Sequence, residues 1–542
     1  MENAQMPDTK HIKINAIINL VSKLMTALIV FAFAKSIITF YGDEVNGIVR
    51  STTMITGYFT IADAGVAAIV SQRLYKVIMV NNKDEIIRIM SASKKMFKYI
   101  SLIFIGLATV ISLIYPLFIE RNQVIDYQFT IALLIILSIK LIPRYLWTMH
   151  YDIILTNTQR GYVYKVVTFF MDLFFYALAT VVLWVNKPIL HDIALNGKNI
   201  TILSNGYENY KWFIILALSL PALSDFFIAF VMHRICKKKF PWLKFIYVPW
   251  SQTKELWKNA RYTLASHITW LIVFSTDEIV LTIYSHKVGA TYSMYLISLL
   301  SFYGMIVSTI RSTMEGVFSS MMPYLGLKTK GEENVDGKTF KLYYLNVISS
   351  SLFITLALIV ATPIFVQVFF ASNKGSDYFD IKLASIISLN CFLYLTMTPY
   401  KVLFYIKGHF KRLLLPNVIE AIINLGGSLI VVWFFGLYGI LIVTTIAMVY
   451  FFIHISFSAR RYINDVNPLW HTIMMLFVML LASVFISIGF IVPGYIGKVD
   501  LSILKAMLII GATGTISLIG IAITALLTKK KVGNKNIIKN NK

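Results

Sequence analysis

Long apolar runs recur along almost the whole chain, and no other feature restricts its fold as strongly. A helix needs about 20 apolar residues to cross the roughly 30 Å hydrocarbon core of a bilayer. The chain has 542 residues, of which 57% are hydrophobic and 14% charged, so a soluble domain of this composition would expose large apolar patches. The predicted spans are 14–40, 46–70, 97–119, 129–149, 164–185, 212–232, 263–284, 290–313, 343–370, 383–405, 413–435, 438–457, 470–492 and 501–527. We therefore predict an all-α polytopic membrane protein with about 14 transmembrane helices.

Lysine and arginine residues are distributed unevenly between successive loops, and this predicts the orientation of the chain in the membrane. With the N-terminus in the cytoplasm, the inside segments hold 34 Lys and Arg residues and the outside loops hold 8. An odd number of spans would destroy this alternation, so the ratio also favours an even count. Both termini are predicted to lie in the cytoplasm.

The basic inside segment 233–262 divides the spans into two sets. Within it, residues 250–261 have the pattern of an amphipathic helix on the membrane surface. A short repeat, Thr39-Phe40-Tyr41 and Thr282-Ile283-Tyr284, supports two related lobes. The predicted organisation is an N-lobe 1–232 with spans 1–6, the linker 233–262, a C-lobe 263–457 with spans 7–12, two further spans in 458–527, and a basic tail 528–542.

The net charge of +24 does not indicate a nucleic-acid partner, because most Lys and Arg residues lie in short loops between spans. The lysines of the tail 528–542 are predicted to lie near anionic lipid. Cys236 and Cys391 are far apart in sequence, and the chain has no clustered His or Cys ligands, no GxxxxGK[ST] loop and no GxSxG motif. We therefore expect no metal, no cofactor and no ATP hydrolysis through a phosphate-binding loop.

Charged side chains lie inside several predicted spans of the first half. An ionisable group is costly in hydrocarbon and therefore usually faces a bundle interior or a watery cavity. Lys23 is in span 1, Arg50 and Asp63 are in span 2, and Lys140 and Arg144 are in span 4. We predict that the four cations line a cavity that receives phosphate, and that Asp63 is a candidate for binding a proton or a sodium ion.

The two cations of span 4 have an alternative interpretation. Lys140 and Arg144 stand at i, i+4, where like charges repel. An anion or a carboxylate of a neighbouring helix must therefore lie between them, and Asp172 and Asp225 in spans 5 and 6 can supply it. The sequence leaves both an anion cavity and a structural ion-pair network open.

The second half carries fewer charges within its spans. Arg311 and Glu315 stand at i, i+4 in span 8, where they either pair with each other or leave Arg311 to face a cavity. Span 11 has a polar stripe over residues 417–428 that includes Glu420 and Asn424. This stripe can hold a coupling proton or sodium ion, or it can tie two helices together.

Several ordered segments resemble the multidrug/oligosaccharidyl-lipid/polysaccharide (MOP) exporter superfamily, and within it the bacterial flippases for lipid-linked oligosaccharides of the O-antigen type. The residues that carry the resemblance are Gly42 through Gly47, Ala62-Asp63-Ala64-Gly65, Leu74-Tyr75, Phe274-Ser275-Thr276-Asp277-Glu278-Ile279, Tyr292 to Tyr295, and Gly408 to Thr445. One departure is visible, because many relatives have Asn where this chain has Glu278.

The resemblance implies two six-helix lobes around a central cavity, two trailing helices, and alternating access without ATP, often coupled to protons, sodium or the membrane potential. The cationic cavity that it implies is similar in kind to Lys23, Arg50, Lys140, Arg144 and Arg311. It also implies a bacterial plasma membrane as the location.

Three functions are consistent with these features. The first is translocation of an undecaprenyl-diphosphate-linked oligosaccharide to the outer leaflet, with lipid as a partner and with glycosyltransferases or a glycan polymerase as further partners. The second is a cation-coupled multidrug antiporter, which would favour a more acidic cavity than the one predicted. The third is a membrane enzyme that polymerises or transfers sugars, but the longest outside loop, about 186–211, is short for such an enzyme. The first is favoured, so we expect a transporter rather than an enzyme.

Overall fold

The computed structural model describes residues 9–57, 82–118, 126–158, 160–186, 190–195, 198–203, 210–251, 275–319, 334–370, 378–406 and 411–464, with short stretches elsewhere up to residue 481. These residues are almost entirely helical. Among them, nine helical segments are long and apolar enough to cross a membrane. The prediction of an all-α polytopic membrane protein is therefore confirmed. The count of 14 stays a prediction, because parts of spans 2 and 7, most of span 13 and all of span 14 lie outside the described residues.

The chain forms two compact units, unit 1 with residues 1–298 and unit 2 with residues 299–542. The helices that begin in unit 1 are α1 (Thr9–Gly57), α2 (Lys83–Ile114), α3 (Tyr127–Ile139), α4 (Met149–Asn157), α5 (Tyr162–Val185), α6 (Tyr210–Lys239), α7 (Asp277–Val288) and α8 (Ala290–Ser319). The lobe boundaries predicted from the linker 233–262 stay a prediction.

Helix α1 contains predicted span 1 and the first part of predicted span 2, with a break at Gly42 between them. This residue has a φ of 82°, a backbone conformation that glycine adopts without the steric cost of a Cβ atom. The sequence places the turn between residues 40 and 46, so the structure agrees with the predicted position.

Predicted span 4 is interrupted near its middle. Helix α3 ends at Ile139, one helical turn covers Leu141–Pro143, and a π-helix covers Arg144–Thr148 before α4 begins. Pro143 has no amide hydrogen to donate, and a π-turn adds one residue to the helical repeat. The helical segment continues to Asn157, beyond the predicted end of the span at residue 149.

Two features of unit 1 lie outside the spans. Strands β1 (Leu190–Leu195) and β2 (Lys198–Leu203) form an antiparallel hairpin in which Leu195 pairs with Lys198. This hairpin is additional to the predicted elements. The linker after α6 packs on α2, since Lys95 Nζ donates to the Val248 carbonyl over 2.9 Å and the Ile246 amide donates to Ser91 Oγ over 3.0 Å. Most of the predicted amphipathic helix 250–261 lies outside the described residues.

Unit 2 contains the remainder of α8 together with α9 (Gly337–Phe370), α10 (Ile381–Ile406) and α11 (Lys411–Ala459). Strands β3 (Val335–Asp336) and β4 (Ile463–Asn464) pair in parallel. Helix α10 is buried along most of its length. After Lys411 and Arg412 at its start, the exposed side chains of α11, such as Phe434 with 76% exposure, are apolar, as expected for a face in contact with lipid.

Helix α11 is a tight helical hairpin, as the two-residue connection between predicted spans 11 and 12 indicates. Gly436 breaks the helix with a φ of 57°. Asn424 Nδ2 donates to Thr444 Oγ1 over 2.8 Å, which joins the two arms across the turn. A Cβ atom at Gly427 would lie 2.7 Å from Val443 Cγ1, so the arms are in close contact there.

Candidate functional site

Cations and carboxylates of four helical segments come together in unit 1. Lys140, directly after α3, lies with its Nζ 5.8 Å from the centre of the Tyr176 ring. The ammonium also interacts electrostatically with Asp225 on α6 and Asp172 on α5. Asp172 accepts a hydrogen bond from Ser224 Oγ over 3.4 Å, which ties α5 to α6. Lys140 is therefore surrounded by groups that favour its positive charge.

Arg144 begins the π-helix and shares one of these partners. Its guanidinium interacts electrostatically with Asp152 and with Asp225. Asp152 accepts a hydrogen bond from Thr156 Oγ1 over 3.3 Å and lies on the part of the helix beyond the predicted span. Asp225 is thus a common electrostatic partner of Lys140 and Arg144. Both sequence interpretations of this pair, an anion cavity and an ion-pair network, remain compatible with the arrangement.

Arg50 differs from the cations that follow α3. It is buried in α1 with 8% exposure, and its Nε has no hydrogen-bond partner among the described residues. Arg50 interacts electrostatically with Tyr176, which also interacts with Lys140. A guanidinium offers five N–H donors, so a buried one with an unused donor is suited to an added anion.

A second polar group in unit 1 surrounds the start of α7. The Thr282 hydroxyl is 3.2 Å from Ser51 Oγ and 3.0 Å from Tyr115 Oη, and Ser51 and Tyr115 also contact each other. Asp277 and Glu278 are both buried, and one carboxylate oxygen of each lacks a hydrogen-bond partner within the described ranges. Tyr115 interacts electrostatically with Glu278. These are groups that can take up a proton or a cation.

The turn segment Gly42–Gly47, which carries part of the family resemblance, packs against the first turns of α8. Asn46 Nδ2 donates to Ser298 Oγ over 2.9 Å, and Thr291 Oγ1 donates to Glu44 Oε1 over 3.0 Å. A Cβ atom at Gly47 would lie 2.3 Å from the Met294 carbonyl oxygen, a distance that real Cβ atoms do not reach. The small residue at position 47 is thus required for close approach of the two helices.

In unit 2, the predicted residues Arg311 and Glu420 lie in one polar cluster. The Arg311 guanidinium carbon is 5.1 Å from the centre of the Tyr394 ring, and Tyr394 Oη donates to Glu315 Oε1 over 2.6 Å. Glu420 is buried and interacts electrostatically with Lys401. Lys401 was not predicted, although a single lysine inside the apolar span 383–405 is a signal that could have found it.

The rest of the predicted residues are placed as follows. Asn424 is buried and hydrogen-bonded to Thr444 across the α11 hairpin, and Ser428 of the polar stripe 417–428 is also buried. Lys23 lies in α1, but its side chain is outside the described residues, and Asp63 is outside them altogether. The structure therefore brings Lys140 and Arg144 together, and it places Arg311 with Glu420 in unit 2.

One charged pair lies outside the spans, at the start of α3. Asp126 caps the helix by accepting a 2.6 Å hydrogen bond from the Phe129 amide, and Lys211 Nζ pairs with the second carboxylate oxygen. Burial by itself would raise the pKa of Asp126, but the Lys211 ammonium and the Phe129 amide outweigh it and lower this pKa below its usual value.

Within the described part of the chain, no three His, Cys, Asp or Glu residues are grouped so as to hold a metal ion. No protein-family model and no curated protein matches the sequence.

Solved structures give clear matches. The fold is similar to that of the lipid II flippase MurJ in an inward closed conformation. The match covers 96% of this chain and 99% of the MurJ chain, with 14% identity and a TM-score of 0.63. An inward-facing multidrug resistance MATE transporter of the MOP superfamily matches 82% of this chain and 98% of its own, with 14% identity and a TM-score of 0.52. The chain has the fold of the MOP superfamily. A MOP superfamily transporter from Pyrococcus furiosus also matches, over 82% of this chain and 95% of its own, with 12% identity and a TM-score of 0.52. The resemblance seen in the sequence is confirmed at the level of the superfamily fold.

Proposed function

We propose that this chain moves a polyprenyl-diphosphate-linked oligosaccharide, of the undecaprenyl type, from the cytoplasmic to the outer leaflet of a bacterial plasma membrane by alternating access. The observation that carries the proposal is the buried Arg50, whose Nε has no partner in the described part of the chain. A desolvated guanidinium costs free energy, and a diphosphate would offset this cost with charge-assisted hydrogen bonds.

The other proposed substrate-binding cations are Lys23, Lys140, Arg144 and Arg311. Lys140 and Arg144 already interact with carboxylates of the protein itself. A diphosphate would therefore compete with Asp172 and Asp225 for them, whereas at Arg50 it would meet less competition. Arg50 is the group whose loss we expect to affect substrate binding most directly.

The fold supports a lipid-linked substrate over a soluble one. The MurJ structure, named as a lipid II flippase, matches nearly the full length of both chains, whereas the MATE transporter matches less of this chain at a lower TM-score. No chemical step is needed for such transport, since a membrane potential of 100 mV favours outward movement of two negative charges by about 4.6 kcal/mol. We propose a transporter rather than an enzyme, working beside glycosyltransferases or a glycan polymerase.

Ion coupling is proposed at Asp63 and at Glu420 with Asn424. Glu420 is a buried carboxylate next to the α11 hairpin contact, so a change in its charge would act directly on the packing of two spans.

A cation-coupled multidrug antiporter is the second candidate. The buried carboxylates of Asp277 and Glu278, each with one unpartnered oxygen among the described residues, favour it, because a cationic drug requires negative groups in its path.

A binding experiment with the purified full-length chain separates the two candidates. Geranylgeranyl diphosphate, its alcohol geranylgeraniol and the cation tetraphenylphosphonium are each titrated in detergent. We expect only the diphosphate to bind tightly, and Arg50→Gln to weaken it at least about tenfold, since a hydrogen bond to a charged group contributes about 1.5–3 kcal/mol.

The matched control is Arg88→Gln, which removes an exposed arginine of α2 that pairs with Glu85. Equal binding of diphosphate and alcohol would contradict an anion site. Tight binding of tetraphenylphosphonium that depends on Asp277 or Glu278 would support the antiporter instead.

A further inference from the structure

Lys401 on α10 lies against two aromatic rings inside unit 2. Its Nζ is 4.0 Å from the centre of the Tyr394 ring and 5.5 Å from the centre of the Phe451 ring. Both rings are buried. Ring faces carry partial negative charge and attract cations at these distances. Because Tyr394 donates its hydroxyl hydrogen to Glu315 over 2.6 Å, its ring becomes more electron-rich and attracts the ammonium more strongly.

Two carboxylates from different helices complete the surroundings of this ammonium. Burial disfavours the charge of Lys401, and Glu315 on α8 and Glu420 on α11 act against this by favouring it electrostatically. Arg311, the second cation of the cluster, lies over Tyr394 as well. The four charged side chains balance, with two positive and two negative.

Aromatic faces together with carboxylates are the groups that proteins use to bind ammonium ions and other monovalent cations. Without a nearby cation, an ionised Glu420 would be costly in this buried environment and would take up a proton instead. In this chain the cation is supplied by the protein itself. A transporter without this lysine would have to bind a free cation at this position, whereas here the cation is attached to the chain as the Lys401 side chain.

We propose that Lys401 is a tethered cation that occupies a monovalent-cation site formed by Tyr394, Phe451, Glu315 and Glu420, so that unit 2 binds no free sodium ion at this site. Removing the side chain creates a site for a small primary ammonium ion. If Glu420 takes part in coupling, the species that it exchanges is then a proton rather than sodium. The inference concerns ion binding alone and holds whichever substrate the chain transports.

Chemical rescue tests the proposal with the purified full-length chain. Lys401→Ala removes three methylene groups and the ammonium, which propylammonium replaces atom for atom. We expect Lys401→Ala to have a lower Tm than the wild type, and its Tm to rise by several degrees as propylammonium chloride is added, because a ligand that binds only the folded state stabilises it. Wild-type Tm should not respond to propylammonium or to exchange of N-methylglucamine for sodium at constant ionic strength.

Two controls make the test specific. Lys401→Met keeps most of the side-chain volume without the charge, so its Tm should be lowered and should not respond to propylammonium. Lys411→Ala removes an exposed lysine of α11 and should behave as the wild type. A Lys401→Ala variant that responds to propylammonium no more than the wild type would overturn the proposal. So would a sodium-dependent rise of the wild-type Tm that Glu420→Gln abolishes.

If Lys401→Ala does not yield folded protein, the double variant Lys401→Met with Glu420→Gln provides the test, because it restores the charge balance. Its Tm should lie above that of Lys401→Met alone. A double variant that is no more stable than the single one would contradict a charge-balanced cation site.

Discussion

Replacement of Lys140 by Gln tests whether the polar cluster of unit 1 is held together by its own charges. The ammonium lies over Tyr176 and interacts with Asp172 and Asp225, so its loss leaves two carboxylates near each other without their cation. Breaking a fully buried pair costs about 3–5 kcal/mol. Because Asp172 and Asp225 are only partly buried, we expect the free energy of unfolding to fall by a smaller amount, about 2–3 kcal/mol.

A double-mutant cycle with Asp225→Asn isolates the interaction. In the Lys140→Gln background this second substitution replaces the stranded carboxylate with an uncharged amide, so part of the lost stability should return, with a coupling free energy of about 1–2 kcal/mol. Unfolding in detergent can be followed with a thiol-reactive dye, since Cys236 and Cys391 are both buried and free. Arg50→Gln is the comparison, and it should leave stability unchanged or raised, because Nε of Arg50 has no partner to lose among the described residues.

Two results would contradict a cluster that is held together by its own charges. A Lys140→Gln variant as stable as the wild type, with no coupling to Asp225→Asn, would show that Lys140 does not stabilise the two carboxylates and that another group supplies their counter-ion. An Arg50→Gln variant destabilised as much as Lys140→Gln would show that Arg50 is also a structural cation, which would remove the observation that carries the proposed function.

Further predictions concern packing and pH. Gly47→Ala places a Cβ atom 2.3 Å from the Met294 carbonyl oxygen and should reduce the free energy of unfolding by about 2 kcal/mol or more. Gly106→Ala, with open space around its Cβ, should stabilise α2 by about 0.5–1 kcal/mol. Thermal unfolding of both variants checks this, and equal stability of the two would contradict the close approach at Gly47. The lowered pKa of Asp126 contributes stability that is present above the usual pKa of 3.8 and is lost as the pH falls through the lower pKa of the folded state. Lys211→Met should shift this loss of stability to higher pH when unfolding is measured as a function of pH. An unshifted profile would show that the Asp126–Lys211 pair does not affect stability.

The helical spans and the turns between them could be predicted from the sequence, because the length of an apolar run and the position of a glycine are local properties. The break at Gly42 and the hairpin at Gly436 both fall where a short connection joins two apolar runs. The hairpin between β1 and β2 also has a local signal, Asn196-Gly197 between two alternating segments, and this pair is typical of a two-residue turn.

The candidate site was less accessible, because its partners come from distant parts of the chain. Asp172 and Asp225 could be proposed as partners of Lys140 from charge alone, but Tyr176 could not, since an aromatic residue in an apolar span carries no distinguishing signal. The interruption at Arg144 follows Pro143, which is a local signal, and beyond it α4 continues past Asp152 to Asn157. Spacing along one helix predicts which side chains share a face, but it does not predict which residues of other helices contact that face.

The proposed function can be tested by measuring translocation of a defined substrate. The purified chain is reconstituted into vesicles with a fluorescent polyprenyl-diphosphate disaccharide, and the fraction of lipid exposed to an impermeant quencher is followed while a potassium gradient and valinomycin set the membrane potential. We expect protein-dependent movement between leaflets that is faster when the potential favours outward movement of negative charge. Arg50→Gln should abolish this movement, and Arg88→Gln should not. Leaflet exchange no faster than in protein-free vesicles, alongside potential-driven uptake of a cationic dye by the same preparation, would contradict the proposed function.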